Sequence, residues 1–308
     1  MKIKLGTRGS LLALWQANYV KNKLENAGVE TEIVIIETKG DKILDRALSK
    51  IGSKGVFTEE LEEQLHSGQI DIAVHSAKDL QSEIDERLEI IAFTEREKIN
   101  DVLISHKSID FSEDSEITIG TSSTRRVAML RAYFPKIKIV DMRGNLQTRI
   151  KKLHDGHCDA LLLAYAGVNR MHYNDMIVHE FDPKRFVPPV GQGTVAIEIS
   201  KNLSSEKKEM LRKVCNEPTT EQCLLTERAF LKKLQGGCSI PVFGNAKMID
   251  ENIEFTAGIV SLDGKELIKE KMIQKNDSSE ELGIKMAEEI LSKGGDEILK
   301  SIKANLAN

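Results

Sequence analysis

Asp71-Ile72-Ala73-Val74-His75-Ser76-Ala77-Lys78-Asp79 opens like a buried strand and closes in side chains able to do chemistry. The apolar run Ile70, Ile72, Ala73, Val74 is too short for a helix and suits a strand covered on both faces. Ser76, Lys78 and Asp79 fall where that strand ends. Ligands of open α/β sheets sit in the crevice outside the carboxyl ends of the strands. An Asp with a Lys beside it at that edge is therefore a candidate acid/base. Taken alone, a solvated ion pair on a polar loop is the simpler reading. The rest of the chain decides between the two.

Working towards the amino terminus, residues 3–5 read as a strand, Gly6-Thr7-Arg8-Gly9-Ser10 as a turn, and 11–27 as a helix with Ser10 as its cap. A second strand spans 32–37. Ser53-Lys54-Gly55-Val56-Phe57 is a glycine-bearing loop, and Thr58 followed by two glutamates opens another helix. Towards the carboxyl terminus come short strands at 88–93 and 101–104, with the charged segment 95–98 between them as a domain crossing. At Ile117-Thr118-Ile119-Gly120-Thr121-Ser122-Ser123-Thr124-Arg125-Arg126 the pattern of residues 3–11 returns, which suggests a second α/β unit built like the first.

That second unit continues with a strand at 136–140, Asp141-Met142-Arg143-Gly144-Asn145, a helix bearing Arg149, and a strand at 159–163 before Arg170. Pro188-Pro189-Val190-Gly191-Gln192-Gly193 suits a return crossing. After a polar segment at 201–208 the grammar changes: a helix from Pro218 to about Leu234, the loop Gly236-Gly237-Cys238, three β segments at roughly 242–249, 253–261 and 265–273, and two closing helices. Strands in a meander between helices read as a separate α+β domain. The expected division is 1–98 with 193–213, then 99–192, then 216–308.

Bulk properties bound the function. A chain of 308 residues is too long for one ordinary core. At 40% hydrophobic and 30% charged it has an ordinary globular composition. The start lacks the apolar stretch of a signal peptide, and no run approaches the ~20 residues of a membrane span. Cys158, Cys215, Cys223 and Cys238 form no paired framework, which fits a reducing cytoplasm. A net charge of −4 argues against general nucleic-acid affinity, so a local cluster of arginines carries more weight.

Such a cluster is present. Arg8, Lys78, Arg125, Arg126, Arg143 and Arg170 stand at strand ends beside Gly, Ser or Thr, with Lys54 and Arg149 nearby. Guanidinium forks match carboxylates and phosphates, and helix N-termini add N–H donors. For any one of them a surface ion pair is the simpler account. The ensemble points to an anion-binding cleft. No Gly-Lys-Ser/Thr phosphate loop is present, which disfavours a nucleoside triphosphate. Cys238, between two glycines and Ser239-Ile240-Pro241, has the setting of a reactive thiol, whereas Cys215 and Cys223 look like helical core. His154-Asp155-Gly156-His157-Cys158 lacks further ligands at convincing spacing, so no metal is expected.

Thr7-Arg8-Gly9-Ser10-Leu11-Leu12-Ala13-Leu14-Trp15-Gln16, Gly52-Ser53-Lys54-Gly55-Val56-Phe57, His75-Ser76-Ala77-Lys78-Asp79, Gly120-Thr121-Ser122-Ser123, Arg143-Gly144-Asn145, Val190-Gly191-Gln192-Gly193 and Gly236-Gly237-Cys238 together resemble the porphobilinogen deaminase (hydroxymethylbilane synthase) family, in its order and across nearly the whole chain. The resemblance implies two periplasmic-binding-protein-like α/β domains around a cleft and a third α+β domain. It implies a monomeric cytoplasmic transferase that joins four porphobilinogen molecules head to tail into hydroxymethylbilane, releasing ammonia each time. By motif match, Cys238 would hold a dipyrromethane cofactor through a thioether and Asp79 would be the catalytic carboxylate. Arg8, Ser10, Lys54, Ser76, Lys78, Thr121, Ser122, Ser123, Arg125, Arg126, Arg143, Gly144, Arg149, Arg170 and Gln192 would hold cofactor and substrate.

The chemistry so implied agrees with the residues. Each pyrrole ring carries an acetate and a propionate, so a growing chain accumulates negative charge. Positive charge develops on the pyrrole nitrogens as ammonia leaves, and one nearby carboxylate can stabilise it and shuttle protons. The sequence departs from the family at Gln81, where proline is usual, and at Thr124 and Tyr165, where aliphatic or small residues are. Two other readings stand beside this one: an anion-binding protein of the same two-domain shape without catalysis, and a transferase using Cys238 as a turnover nucleophile. A ligand-sensing regulator would need a basic helix-turn-helix before residue 3.

Overall fold

The computed structural model describes residues 1–42, 58–237 and 239–307. The loop containing Lys54 and the position of Cys238 therefore lie outside the described residues. The strands β1 (Lys2–Thr7), β2 (Glu30–Ile35), β3 (Ile72–Ser76), β4 (Leu88–Phe93) and β10 (Val195–Ser200) form one sheet in the order β2-β1-β3-β10-β4. The strands β5 (Asp101–Ile104), β6 (Thr118–Gly120), β7 (Lys138–Val140), β8 (Ala160–Ala164) and β9 (Ile177–Glu180) form a second, ordered β7-β6-β8-β5-β9.

The two sheets share one plan. In the first, β1 runs parallel to β2 and β3, and β10 is antiparallel to β3 and β4. In the second, β6 runs parallel to β7 and β8, and β5 is antiparallel to β8 and β9. The repeated strand-turn-helix pattern of the sequence is thus a structural repeat. Each antiparallel strand is the one that arrives from the other unit. Val195 pairs with Ser76 at the carboxyl end of β3, and Asp101 pairs with Ala164 at the carboxyl end of β8. Antiparallel entry therefore delivers both crossings, residues 95–100 and 181–194, to the sheet edges where ligands of such folds bind.

Each of these sheets is buried on both faces. Ile3, Leu5, Ile72, Val74 and Ile197 pack on one side of the first, and Leu61, Leu65, Ile70, Ala73 and Leu88 on the other. Each of the leucine, isoleucine and valine side chains among them is worth about 1.5–3 kcal/mol of burial. The strands β11 (Val242–Ile249), β12 (Asn252–Val260) and β13 (Leu267–Lys275) make a third, antiparallel sheet packed against helices Pro218–Lys233 and Ser279–Ile290. The fold is α/β in two units with a third sheet-and-helix unit, as the sequence predicts.

Several elements differ from expectation. The second strand begins two residues earlier, at Glu30. The pattern at 117–126 reads as a strand, a polar turn bearing the arginines, then a helix over 127–133; the helix instead starts at Thr124, so Arg125 and Arg126 lie in its first turn rather than in a loop. The polar segment at 201–208 runs into a helix, Ser205–Cys215, that buries only Leu211 and Cys215, too narrow a face to show in the sequence. β9 was not expected either: it is an edge strand, half-buried and without a clean alternation.

Candidate active site

The strand β3 ends in a single 3₁₀ turn, Ala77–Asp79. Side chains three apart eclipse in that geometry. Ala77 and Leu80 accordingly both join the apolar cluster that also holds Leu224, Ile253 and Phe255 of the third unit. Lys78 is left half-buried and Asp79 exposed. Apolar anchoring on either side thus holds two polar groups outward. The return crossing braces the same turn: Ala77 N–H donates to Thr194 O (2.9 Å). Gly191 adopts φ 78°, and a Cβ there would stand 2.8 Å from the Lys78 backbone nitrogen. Only glycine allows that approach.

Lys78 Nζ donates to Gln192 Oε1 at 3.4 Å. Burial, aided by the Arg126 and Arg125 charges and opposed by Asp79 and Asp101, lowers its pKa to about 8. Ser76 Oγ accepts from Gln16 Nε2 (2.8 Å). On the second unit Ser123 caps helix Thr124–Tyr133, accepting from Arg126 N–H at 3.5 Å, and Ser122 Oγ accepts from Met142 N–H at 2.9 Å. Thr121 Oγ1 accepts from Ser123 N–H (3.3 Å).

Arg149, on helix Leu146–His154 capped by Asn145, donates from Nε to Gly144 O at 2.7 Å. Gly144 has φ 108°, and a Cβ there would meet Thr148 at 2.7 Å. Burial, together with Arg126 and Arg143 and against the pull of Asp79 and Asp141, lowers Arg149 to about 10. Lys78, Asp79, Arg125, Arg126, Arg143 and Arg149 therefore share one electrostatic neighbourhood.

The paired arginines are placed differently from what strand-end exposure predicts. Arg125 and Arg126 are only 4% and 6% exposed. Both turn inward onto Asp101, which is fully buried: Arg125 through Nη2, Arg126 through Nε (3.2 Å) and Nη2 (2.7 Å). Their other amino groups reach Val187 O and Leu162 O, each at 2.9 Å. Cations in the first turn of a helix oppose its dipole, and a buried carboxylate offsets that cost. The two guanidiniums hold Asp101 well below the usual carboxylate range.

Arg170 is also buried. It donates to Gly193 O (2.8 Å), on the return crossing, and lies over the Trp15 ring. Ser10 Oγ caps its own helix, accepting from Ala13 N–H at 3.3 Å, and Arg8 is half-buried just beyond β1.

Sequence reasoning missed Asp101, Arg228 and the pair Arg96–Glu227. A charged residue opening the all-apolar strand Val102-Leu103-Ile104 is the signal that pointed to Asp101, because a buried carboxylate needs a cation. Arg228, from the third unit, donates to Gln81 O at 2.9 Å and so holds the chain just after Asp79. Cys158, Cys215 and Cys223 are buried, and burial pushes their thiols up to about 11, 12 and 12, which leaves them inert. No group of metal-ligating side chains is found among the described residues.

The wall suits a polyanion with hydrogen-bonding rings. It offers an ammonium, guanidiniums and hydroxyls, with Asp79 exposed among them and Asp141 paired to Arg143 (Nε to Oδ2, 3.0 Å). A dipyrromethane, with an acetate and a propionate on each ring, matches that donor set.

Known proteins agree. The porphobilinogen deaminase dipyrromethane cofactor-binding domain matches residues 3–208, and the porphobilinogen deaminase C-terminal domain matches residues 221–292. A porphobilinogen deaminase of Cytophaga hutchinsonii is 54% identical over 306 residues, covering 99% of this chain and 98% of that one. One from Desulfosudis oleivorans is 50% identical over 305 residues, covering 98% of each. One from Carboxydothermus hydrogenoformans is 42% identical, covering 98% of this chain and 97% of that one.

Proposed function

This chain belongs to the porphobilinogen deaminase family, and we propose how its residues divide the work. The activity is that of a tetrapyrrole-forming transferase, a hydroxymethylbilane synthase with a dipyrromethane cofactor. Asp79 is the catalytic carboxylate. It is exposed on a turn whose neighbours are anchored, within the field of Lys78 and Arg149. From there it stabilises positive charge at the pyrrole nitrogen of incoming porphobilinogen and takes and returns protons.

Lys78, Arg143 and Arg149 hold carboxylates of the bound pyrroles, with Ser76, Ser122, Thr121 and Gly144 shaping the wall. Arg8, Ser10, Ser123, Lys54 and Arg170 complete the set. Arg125 and Arg126, turned onto Asp101, contribute charge from behind, and Gln192 steadies Lys78. Cys238 carries the dipyrromethane through a thioether, and that group supplies the pyrrole α-carbon on which chain growth begins. Residues 1–98 with 193–213, residues 99–192 and residues 216–308 are taken as the three domains. Among the described residues no helix is long and apolar enough to cross a membrane, in keeping with a cytoplasmic enzyme, and we take it to be a monomer.

The observation that supports this reading is that Lys78 and Asp79, at the end of β3, share one electrostatic neighbourhood with Arg126 and Arg149 of the second unit, and that Gln192 links Lys78 to Asp101. Its test is the intact mass of the purified protein beside Cys238→Ser. The expected result is a covalent excess of two porphobilinogen units less two ammonias, absent from the variant. A protein that stays unmodified even after incubation with porphobilinogen would overturn the cofactor assignment. Ammonia release from added porphobilinogen separates the enzyme from a plain anion-binding protein.

A further inference from the structure

We propose that Asp101 is a positioning residue of this reaction: its buried carboxylate pins both guanidiniums and, through Gln192, keeps the Lys78 ammonium charged beside Asp79. The inference rests on the reading of Lys78 and Asp79 as cleft residues. Asp101 opens β5 where the chain first crosses into the second unit, and Gln192 lies on the return crossing. Gln192, itself fully buried, donates from Nε2 to Asp101 Oδ1 (3.0 Å) and to Ile99 O (2.7 Å), while its Oε1 accepts from Lys78 Nζ (3.4 Å). The amide thus joins a carboxylate of the second unit to an ammonium of the first.

The orientation follows from the donors. A primary amide with its NH₂ committed to Asp101 and to a carbonyl must present its oxygen the other way, where only a cation or another donor is welcome. Charge points the same way. Lys78 faces Arg125 and Arg126, and among the chain's own carboxylates Asp79 and Asp101 oppose them most. Asp79 is exposed and screened by solvent, whereas Asp101 is not. With Asp101 neutral, two unbalanced guanidiniums would favour loss of the Lys78 proton. The ammonium already sits near its limit, at about 8. A lysine neutral at working pH would no longer hold a carboxylate, and Asp79 would lose its neighbouring cation.

The test reads Lys78 directly. The rate at which acetic anhydride acetylates Lys78 is followed against pH by peptide mass, in wild type, Asp101→Asn and Gln192→Leu. Each variant is compared with wild type of matched cofactor loading, established from intact mass. The expected result is a midpoint at least about one pH unit lower in Asp101→Asn, and a smaller fall in Gln192→Leu, with the alkaline limb of turnover moving in step. A folded Asp101→Asn whose Lys78 midpoint matches wild type overturns the proposal. Should that variant fail to fold, Gln192→Leu decides alone, and an unmoved midpoint there overturns it. These midpoints do not depend on turnover, so normal activity in Asp79→Asn would sink the cleft reading without being confused with this result.

Discussion

Asp79 and Lys78 are adjacent, yet their surroundings differ: the carboxylate stands in solvent while the ammonium is half-buried among guanidiniums. Solvent access leaves Asp79 free to exchange protons, and its removal should be costly only to chemistry. Asp79→Asn is expected to fold and load cofactor normally, with turnover reduced by roughly 10²–10⁴-fold. Near-normal ammonia release from that variant would refute the assignment. Lys78 carries the opposite balance. Its folded pKa of about 8 lies below the value of about 10.4 in the unfolded chain. Between the two, the unfolded chain binds more protons, so stability rises with pH across that window; below about pH 8 the full penalty is present. Lys78→Met should therefore stabilise the fold at pH 7 by about 1–2 kcal/mol after allowance for solvent screening, the gain vanishing by about pH 10. Urea midpoints at both pH values check this, and turnover of that variant should drop sharply. In the wild type, turnover should decline on the alkaline side as the ammonium is lost, at a pH above about 8 because the bound carboxylates favour the charged form.

The turn that carries these residues is an element-scale device. Its apolar anchors, Ala77 and Leu80, join an apolar cluster that also holds residues of the third unit, and Arg228 from that unit grips Gln81 O. That grip answers the departure at Gln81. Where family members use a proline to stiffen the loop, this chain holds the same residue's carbonyl from outside and sets its amide 3.4 Å from Thr58 Oγ1. Leu80 is already extended, with φ −71° and ψ 142°, the conformation a following proline demands. Gln81→Pro should consequently keep full activity and gain about 0.4–1 kcal/mol, seen as a slightly higher melting temperature. A marked loss of activity would show that the Gln81 amide matters to the loop. This element also shows what a sequence exposes. The strand at 72–76 and its polar end are local signals, written in consecutive residues. The placement of Arg125 and Arg126 was not legible, because their partner Asp101 lies 24 and 25 residues away in the chain, and Gln192 lies 91 residues from it. Strand-end position implies exposure, and only tertiary pairing reverses it.

At the scale of the whole molecule, two chain crossings and a third unit meet at one ion pair. Glu227, fully buried on helix Pro218–Lys233, receives Arg96 on both oxygens (2.6 and 3.2 Å), together with Gly191 N–H (2.8 Å) and Ala246 N–H (2.7 Å). Arg96, on the first crossing, also donates from Nε to Gln192 O on the second (2.9 Å). Both connections between the α/β units are thereby fastened to the helix that precedes Cys238 in the chain. A sequence read in order displays each crossing but not that they are tied together. Losing the carboxylate's charge leaves Arg96, largely shielded from solvent with its side chain 12% exposed, without a counter-ion, the costly half of a broken pair. Glu227→Gln keeps the shape of the side chain and should destabilise by about 3–5 kcal/mol. The effect should be felt at the crossings, so limited proteolysis ought to cut within residues 95–100 or 188–193, where the wild type resists. A variant that unfolds at the wild-type denaturant midpoint, with those segments still protected, would mean that core packing alone joins the three units.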